Sequence, residues 1–222
     1  MVTLPFHIKC SCMLFDMDGV LCDSRACVER IWQNWAREKN IDVGSILTLA
    51  YGSRIEDTLR RVAPHCNIEK EARKLELLER SDTRGIAAIL GAKEVLSTLP
   101  RDRWAVVTSA SRPLAVARLE AAGLPIPSTL IAAEDVVAGK PSPDGYLLAA
   151  EMLGYAPNQA VVVEDTLIGI QSARAASMRV IALETTYSRE ELNGADVCIA
   201  DLRALRVKVL RTGKAALLSL FV

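Results

Sequence analysis

Asp16 and Asp18 stand one residue apart in Leu14-Phe15-Asp16-Met17-Asp18-Gly19-Val20, where an apolar run ends and a glycine follows. Carboxylates are poor strand formers, and two at one strand tip repel each other unless a cation or a substrate group lies between them. Three more polar clusters end or follow downstream apolar runs. Thr108-Ser109-Ala110-Ser111 closes the run from Trp104, and Glu164-Asp165-Thr166 closes the run from Ala160. Lys140 sits between Gly139 and Pro141, ahead of a stretch beginning at Asp144. Taken singly, these read as a helix N-cap, capping acids and a turn with a solvated lysine. The Asp-x-Asp pair lacks the remaining oxygen ligands of a calcium loop. Taken together at one sheet edge, the clusters suit phosphoryl transfer.

Carboxylates gathered in this way need a hard divalent cation, and Mg2+ prefers oxygen ligands while keeping several waters. The candidate metal-binding residues are Asp16, Asp18, Asp165 and Glu164. Asp16 and Asp165 are the natural side-chain ligands, with a backbone carbonyl near Asp18 as a third. Ser109 and the amide of Ala110, where a strand turns into a helix, suit phosphate oxygens. Lys140 adds a compact positive charge for the same oxygens or for the nucleophile. Asp16, ionised at neutral pH, can attack phosphorus and form an aspartyl phosphate. Asp18 would protonate the leaving alcohol and later deprotonate the hydrolytic water. That role calls for neighbouring charge or partial burial to keep a proton on Asp18.

These residues need a scaffold. Cys10 to Phe15 is nearly all apolar, as in a parallel strand buried on both faces. Helix periodicity then takes over, with Cys27, Val28, Ile31, Trp32 and Trp35 on one face of 25–39. Further helices are predicted over 45–51, 55–62 and 69–81, without a strand among them. A polar segment, Ser81-Asp82-Thr83-Arg84-Gly85, is a candidate hinge. Beyond it, short strands over 104–108, 129–132, 160–163, 180–183 and 196–199 alternate with helices over 93–98, 113–122, 144–153 and 167–176. Such alternation implies right-handed crossovers and an α/β fold with a doubly wound, Rossmann-like parallel sheet. Residues 207–210 and 215–220, joined by Arg211-Thr212-Gly213-Lys214, read as a closing hairpin. The expected division is an α/β core from 1–24 and 86–222, interrupted after its first strand by a helical domain over 25–85.

Composition narrows the function classes. With 222 residues and 50% hydrophobic content, the chain can fill one good core and a small second one. Its 27 basic and 27 acidic residues cancel, leaving no basic surplus for nucleic acid. The apolar runs are too short to span a bilayer, and the N-terminus does not make a signal peptide. Six cysteines show no pairing scheme and no metal or redox spacing, so they read as reduced thiols of a cytoplasmic protein. None is followed by the five residues and arginine of a thiol phosphatase. Lys140 lacks the upstream glycine and following hydroxyl of a P-loop.

In order along the chain, Phe15-Asp16-Met17-Asp18-Gly19-Val20, Val107-Thr108-Ser109, Gly139-Lys140-Pro141-Ser142-Pro143-Asp144 and Val163-Glu164-Asp165 resemble the four motifs of the haloacid dehalogenase superfamily. The resemblance covers essentially the whole chain. The helical insert stands where that superfamily places its small C1-type cap, and the chain looks like the branch of sugar phosphatases, phosphoglycolate phosphatase and β-phosphoglucomutase. The Trp104–Ser109 run, and Gly52 with Arg54, look most like the hexitol- and sugar-phosphate phosphatases.

The resemblance implies Asp16 as nucleophile, Asp18 as acid/base, Ser109 and Lys140 as phosphate binders and Asp165 as a metal ligand. Glu164 becomes a ligand or an orienting residue. It further implies a cap that closes over the substrate on hinges near Ser24 and Gly85, with Arg54 as candidate for a cap residue reaching substrate oxygens. A dehalogenase of the founding type would have no use for an acid at 18. A mutase would carry a histidine at the place held by Val28. The expected activity is therefore Mg2+-dependent hydrolysis of small phosphate monoesters, sugar or polyol phosphates first. A phosphosugar mutase, a phosphoglycolate or glycerol-phosphate phosphatase and a silent phosphate-binding protein are the alternatives. The expected partner is a small phosphorylated metabolite, with neither nucleic acid nor membrane, on a monomer or weak homodimer.

Overall fold

A computed structural model describes residues 6–212 and 215–222 of the chain. The first apolar run is divided between two sheets. β1 (His7–Cys10) and β2 (Cys12–Phe15) flank Ser11, whose amide donates to the Gln159 carbonyl at 2.7 Å. β2 enters a six-stranded parallel sheet with β5 (Trp104–Val107), β6 (Leu130–Ile131), β7 (Ala160–Glu164), β8 (Arg179–Leu183) and β9 (Val197–Ile199). The strand order is β6-β5-β2-β7-β8-β9, which places β2 inside the sheet with a parallel neighbour on each side. β1 instead pairs antiparallel with β11 (Ala215–Phe221), which also pairs with β10 (Arg206–Thr212). The expected hairpin is therefore one part of a separate three-stranded sheet, and its turn residues Gly213 and Lys214 lie outside the described residues. Periodicity cannot divide a continuous apolar run between two sheets; only pairing partners do so.

Strand alternation separates two layers of core. Met13, Phe15, Val106, Val161 and Val163 face one side, packed with Val95 and Leu96 of α5 (Ala92–Thr98) and Ala115 and Leu119 of α6 (Arg112–Ala121). Leu14, Ala105, Val107 and Val162 face the other, against Tyr146 and Ala149 of α7 (Asp144–Leu153) and Ile170 and Ala173 of α8 (Leu167–Ala175). Helices on both faces of an inner parallel strand explain why β2 shows no polar alternation.

The insert consists of α1 (Arg25–Lys39), α2 (Val43–Ala50), α3 (Ile55–Val62) and α4 (Ile68–Ser81). Asp42 and Asn67 cap α2 and α4 by accepting from the amides of Ser45 and Lys70, and Asn40 ends α1 in the left-handed conformation. Trp32 and Trp35 meet edge to face, 5.6 Å apart, within a core shared with Leu59 and Leu75. The chain enters and leaves this helical block through a two-stranded ribbon, β3 (Cys22–Asp23) with β4 (Ala87–Ala88), paired antiparallel. Strands this short carry no periodic signal, and the sequence reading contains neither.

Candidate active site

The strands deliver their polar ends to one edge, as a parallel sheet requires. Asp16 follows β2, Thr108 follows β5, Glu164 ends β7, and each lies beyond the carboxyl end of its apolar run. One oxygen each of Asp16, Glu164 and Asp165 lies within 4.8 Å of the others, and all three residues are buried. Lys140 joins two of them: its Nζ donates to Asp16 Oδ1 at 2.7 Å and to Glu164 Oε1 at 2.6 Å.

Glu164 accepts more than the lysine. Tyr146 donates its hydroxyl to Oε1 at 2.8 Å, while Oε2 takes the amides of Asp165 and Thr166 and the Thr166 hydroxyl. Burial works against the Glu164 charge, but Lys140 and these donors outweigh it and hold the carboxyl below its ordinary range. Burial also opposes the Lys140 charge, and Asp16 and Glu164 overcome it. Asp16 has less support: burial pushes it up to about 7, against the pull of Lys140. Burial, Glu164 and Asp16 raise Asp165 well above its ordinary value. The carboxylates are thus crowded beyond what one lysine neutralises.

That imbalance bears on a cation. Asp165 Oδ1 is buried without a hydrogen-bond partner, while Oδ2 accepts from the Thr186 hydroxyl. Gly19, at φ 79°, lies against the same carboxylate, and a Cβ there would overlap it. An orphaned buried oxygen, a crowded pair of acids and a glycine that keeps the space open fit a hard divalent ion. Glu164 belongs to the group by position, but its oxygens already accept five hydrogen bonds.

Asp18 is held by two donors and is partly buried. Its Oδ1 accepts from Ser24 Oγ at 2.6 Å and its Oδ2 from Arg118 Nη1 at 2.6 Å. Its ion-pair partner is thus a cation on α6. Ser109 and Ala110 lie at the end of β5, but their donors are engaged within the protein. Ser109 Oγ donates to the Gly52 carbonyl at 2.6 Å, and the Ala110 amide to Thr108 Oγ1 at 3.1 Å. Ser111 caps α6, the ordinary role for that run.

Arg54 faces the loop before Lys140. Its guanidinium donates to the carbonyls of Val136 and Val137 at 2.9 and 3.0 Å, and it packs on Gly139. It clasps the loop leading to Lys140 and lines a small cleft beside Ser109 and Lys140, outside the cavity between the sheet edge and the helical block. The reason is local: as the N-cap of α3, Arg54 emerges beside carbonyls that need donors.

The cavity between the sheet edge and the helical block has a volume of about 400 Å³. Asp16, Asp18, Ser109, Ala110 and Asp165 line its sheet side, and Val28, Glu29, Glu56 and Glu76 its helical side. Neither His7 nor His65 lines it. Arg118, Tyr146 and Glu79 were missed from the sequence. Arg118 shares its stripe with Leu114, Ala115 and Leu119, and Glu79 follows Ala72 and Leu75 on theirs. A charge at a core position of an amphipathic helix is the signal that would have found both.

Comparison with known proteins agrees with this architecture. Residues 10–177 match the model of the haloacid dehalogenase-like hydrolase family. The chain is 40% identical over 205 residues to hexitol phosphatase A of Escherichia coli, covering 90% of this chain and 95% of that protein. It is 30% identical over 224 residues to glycerol-1-phosphate phosphohydrolase 2 of Saccharomyces cerevisiae, covering 93% of this chain and 88% of the relative. Among solved structures, a hydrolase from Pseudomonas syringae superposes with a TM-score of 0.78 at 26% identity, over 86% of this chain and 94% of that one. The chain belongs to the haloacid dehalogenase-like hydrolases. Among the described residues, no helix is long and apolar enough to cross a membrane.

Proposed function

We propose that this hydrolase is a Mg2+-dependent phosphatase of sugar or polyol phosphates, working through an aspartyl phosphate on Asp16. The observation that carries this reading is Asp16 at the cavity floor, beside an orphaned Asp165 oxygen and clamped by Lys140 at 2.7 Å. Lys140 fixes one Asp16 oxygen, which orients the carboxylate for attack on phosphorus. Asp16, Asp165 and a carbonyl near Asp18 would hold Mg2+, with Glu164 orienting Lys140. The ion supplies charge neutralisation, so that an anionic nucleophile can approach a phosphate dianion. Ser109 and the Ala110 amide exchange their protein acceptors for phosphate oxygens, replacing neutral hydrogen bonds by charge-assisted ones. Asp18 gives a proton to the leaving alcohol and takes one from the attacking water. Residues 25–85 act as a cap, with the β3–β4 ribbon as its hinge.

The chemistry of the walls supports the substrate class. Glu29, Glu56 and Glu76 line the helical side, and the lining cations are Arg25 and Arg118. Arg25 donates to the Thr185 carbonyl, and Arg118 is bonded to Asp18 and Glu79. Carboxylate acceptors suit a neutral, hydroxyl-rich leaving group and repel an anionic one such as glycolate. Glycerol 1-phosphate and hexitol phosphates, named for the relatives above, are the esters to assay first. With no histidine at the cavity and Val28 on its wall, a mutase lacks its second acid/base. Six unpaired cysteines support a reducing compartment, and we place the protein in the cytoplasm.

The test is Asp16→Asn with released phosphate as readout. The variant removes the attacking oxyanion, and turnover is expected to fall on the order of 10⁴-fold or more. Normal turnover by a folded Asp16→Asn protein would refute the proposal.

A further inference from the structure

Arg118 lies on α6, 102 positions beyond the nucleophile in numbering but at the same cavity, and its side chain is 5% exposed. Nη1 donates to Asp18 Oδ2 and Nη2 to Glu79 Oε2, both at 2.6 Å. Asp18 belongs to the loop after β2, whereas Glu79 belongs to the last turn of α4. The guanidinium therefore bridges the acid/base carboxylate to the helical block. Its Nε is buried and has no partner.

Stability alone is a poor reason for this arrangement. A buried ion triad with an orphaned N–H costs desolvation that an apolar side chain of similar volume would avoid. The stripe that carries Arg118 is otherwise leucine and alanine, so an apolar residue would continue it. The fork geometry matters as well: guanidinium presents two parallel donors at fixed spacing, which a lysine cannot. Arg118 occupies Asp18 Oδ2 and has no acceptor to offer. Oδ1 is thus the oxygen left to exchange a proton, and it faces Ser24, whose hydroxyl can donate or accept.

We propose that Arg118 is a positioning residue, which fixes Asp18 for proton transfer to the leaving group and ties that geometry to Glu79 on the cap. The inference rests on the phosphatase reading above. It assigns the dependence of the acid step on cap contact to one side chain. When α4 packs on the sheet domain, Glu79 orders the guanidinium and the guanidinium orders Asp18. When α4 moves away, Arg118 has one partner instead of two and pulls on Asp18 alone.

The experiment uses the full chain with Mg2+ and two classes of ester. Glycerol 1-phosphate and a hexitol phosphate leave as alkoxides and need an acid, while p-nitrophenyl phosphate leaves without one. Arg118→Met is expected to lower kcat on the alkyl esters about 30-fold, part of the ~10²–10⁴-fold that general acid/base catalysis supplies. Its loss on the aryl ester is expected near threefold, with KM moved less than about threefold on either. Equal losses on both classes, or no loss on the alkyl esters, overturn the proposal. Should Arg118→Met not fold, the near-isosteric Glu79→Gln decides. It replaces the Glu79–Arg118 ion pair by a weaker neutral hydrogen bond, and a selective loss of about fivefold on alkyl esters is expected. Unchanged or unselective turnover in Glu79→Gln overturns it. Wild type inert on every ester sinks the phosphatase reading together with this one, whereas an active wild type with unselective variants sinks only the role of Arg118.

Discussion

Gly169 lies in the first turn of α8, directly beneath the Glu164 carboxylate, and a methyl group there would overlap its carboxyl carbon and both oxygens. Gly169→Ala therefore sets two effects against each other. Alanine in place of a helical glycine gains at most about 1 kcal/mol. Displacing Glu164 breaks its contacts with Lys140 at 2.6 Å, Tyr146 at 2.8 Å, and the amides of Asp165 and Thr166 at 2.9 and 3.1 Å. Splitting a buried, hydrogen-bonded ion pair of this kind costs about 3–5 kcal/mol. The loss wins, and a net destabilisation of about 2–4 kcal/mol is expected. At the size of this chain each kcal/mol moves Tm by about 2–4 °C, so the fall should be roughly 5–15 °C by calorimetry or circular dichroism. Gly145→Ala on α7 is the control. Its methyl would meet Val107 Cγ1 at 2.9 Å and Ile131 Cγ2 at 3.9 Å, both apolar side-chain atoms and neither part of a hydrogen-bonded carboxylate. That variant is expected to stay within about 1 kcal/mol of wild type. If Gly169→Ala is as stable as the control, Glu164 is not pinned where its hydrogen bonds place it, and the account of Lys140 fails with it.

Two further outcomes follow from the same cluster. Asp16 is held up to about 7 by burial and Asp165 well above its ordinary value, so the folded, metal-free protein binds more protons than the unfolded chain from about pH 4 to 7. Its stability should therefore fall as pH rises through that window in chelator. On the proposed function Mg2+ binds the ionised pair and should raise Tm more at pH 8 than at pH 5, and an increment equal at both would contradict the assignment. Tyr146→Phe removes one hydrogen bond to a buried charged acceptor and should cost about 1.5–3 kcal/mol in urea denaturation. A change below about 0.5 kcal/mol would show that Glu164 does not depend on that hydroxyl.

Much of the site is legible in residue order because parallel sheets impose a simple rule. Side chains that end apolar runs meet at one edge, so Asp16, Ser109, Glu164 and Asp165 are found without coordinates. The helices of the insert are equally legible, since α1 and α3 keep the bounds that their apolar faces predict. Local pattern does not determine which atom each donor faces. Ser109 on Gly52, Arg54 on Val136 and Val137, and Arg118 on both Asp18 and Glu79 join residues 39 to 100 positions apart.

The sequence by itself determines the α/β alternation, the place of the helical insert, and the set of acids and serine that the fold brings to one sheet edge, with the lysine beside them. The tertiary structure alone decides that the first apolar run serves two sheets, that Glu164 is filled by donors while Asp165 keeps a free oxygen, and that a core-helix arginine donates to Asp18. The physical reason is range. Periodicity and capping act within a few residues along the chain, whereas burial and hydrogen-bond saturation are settled by neighbours that only the closed fold brings together.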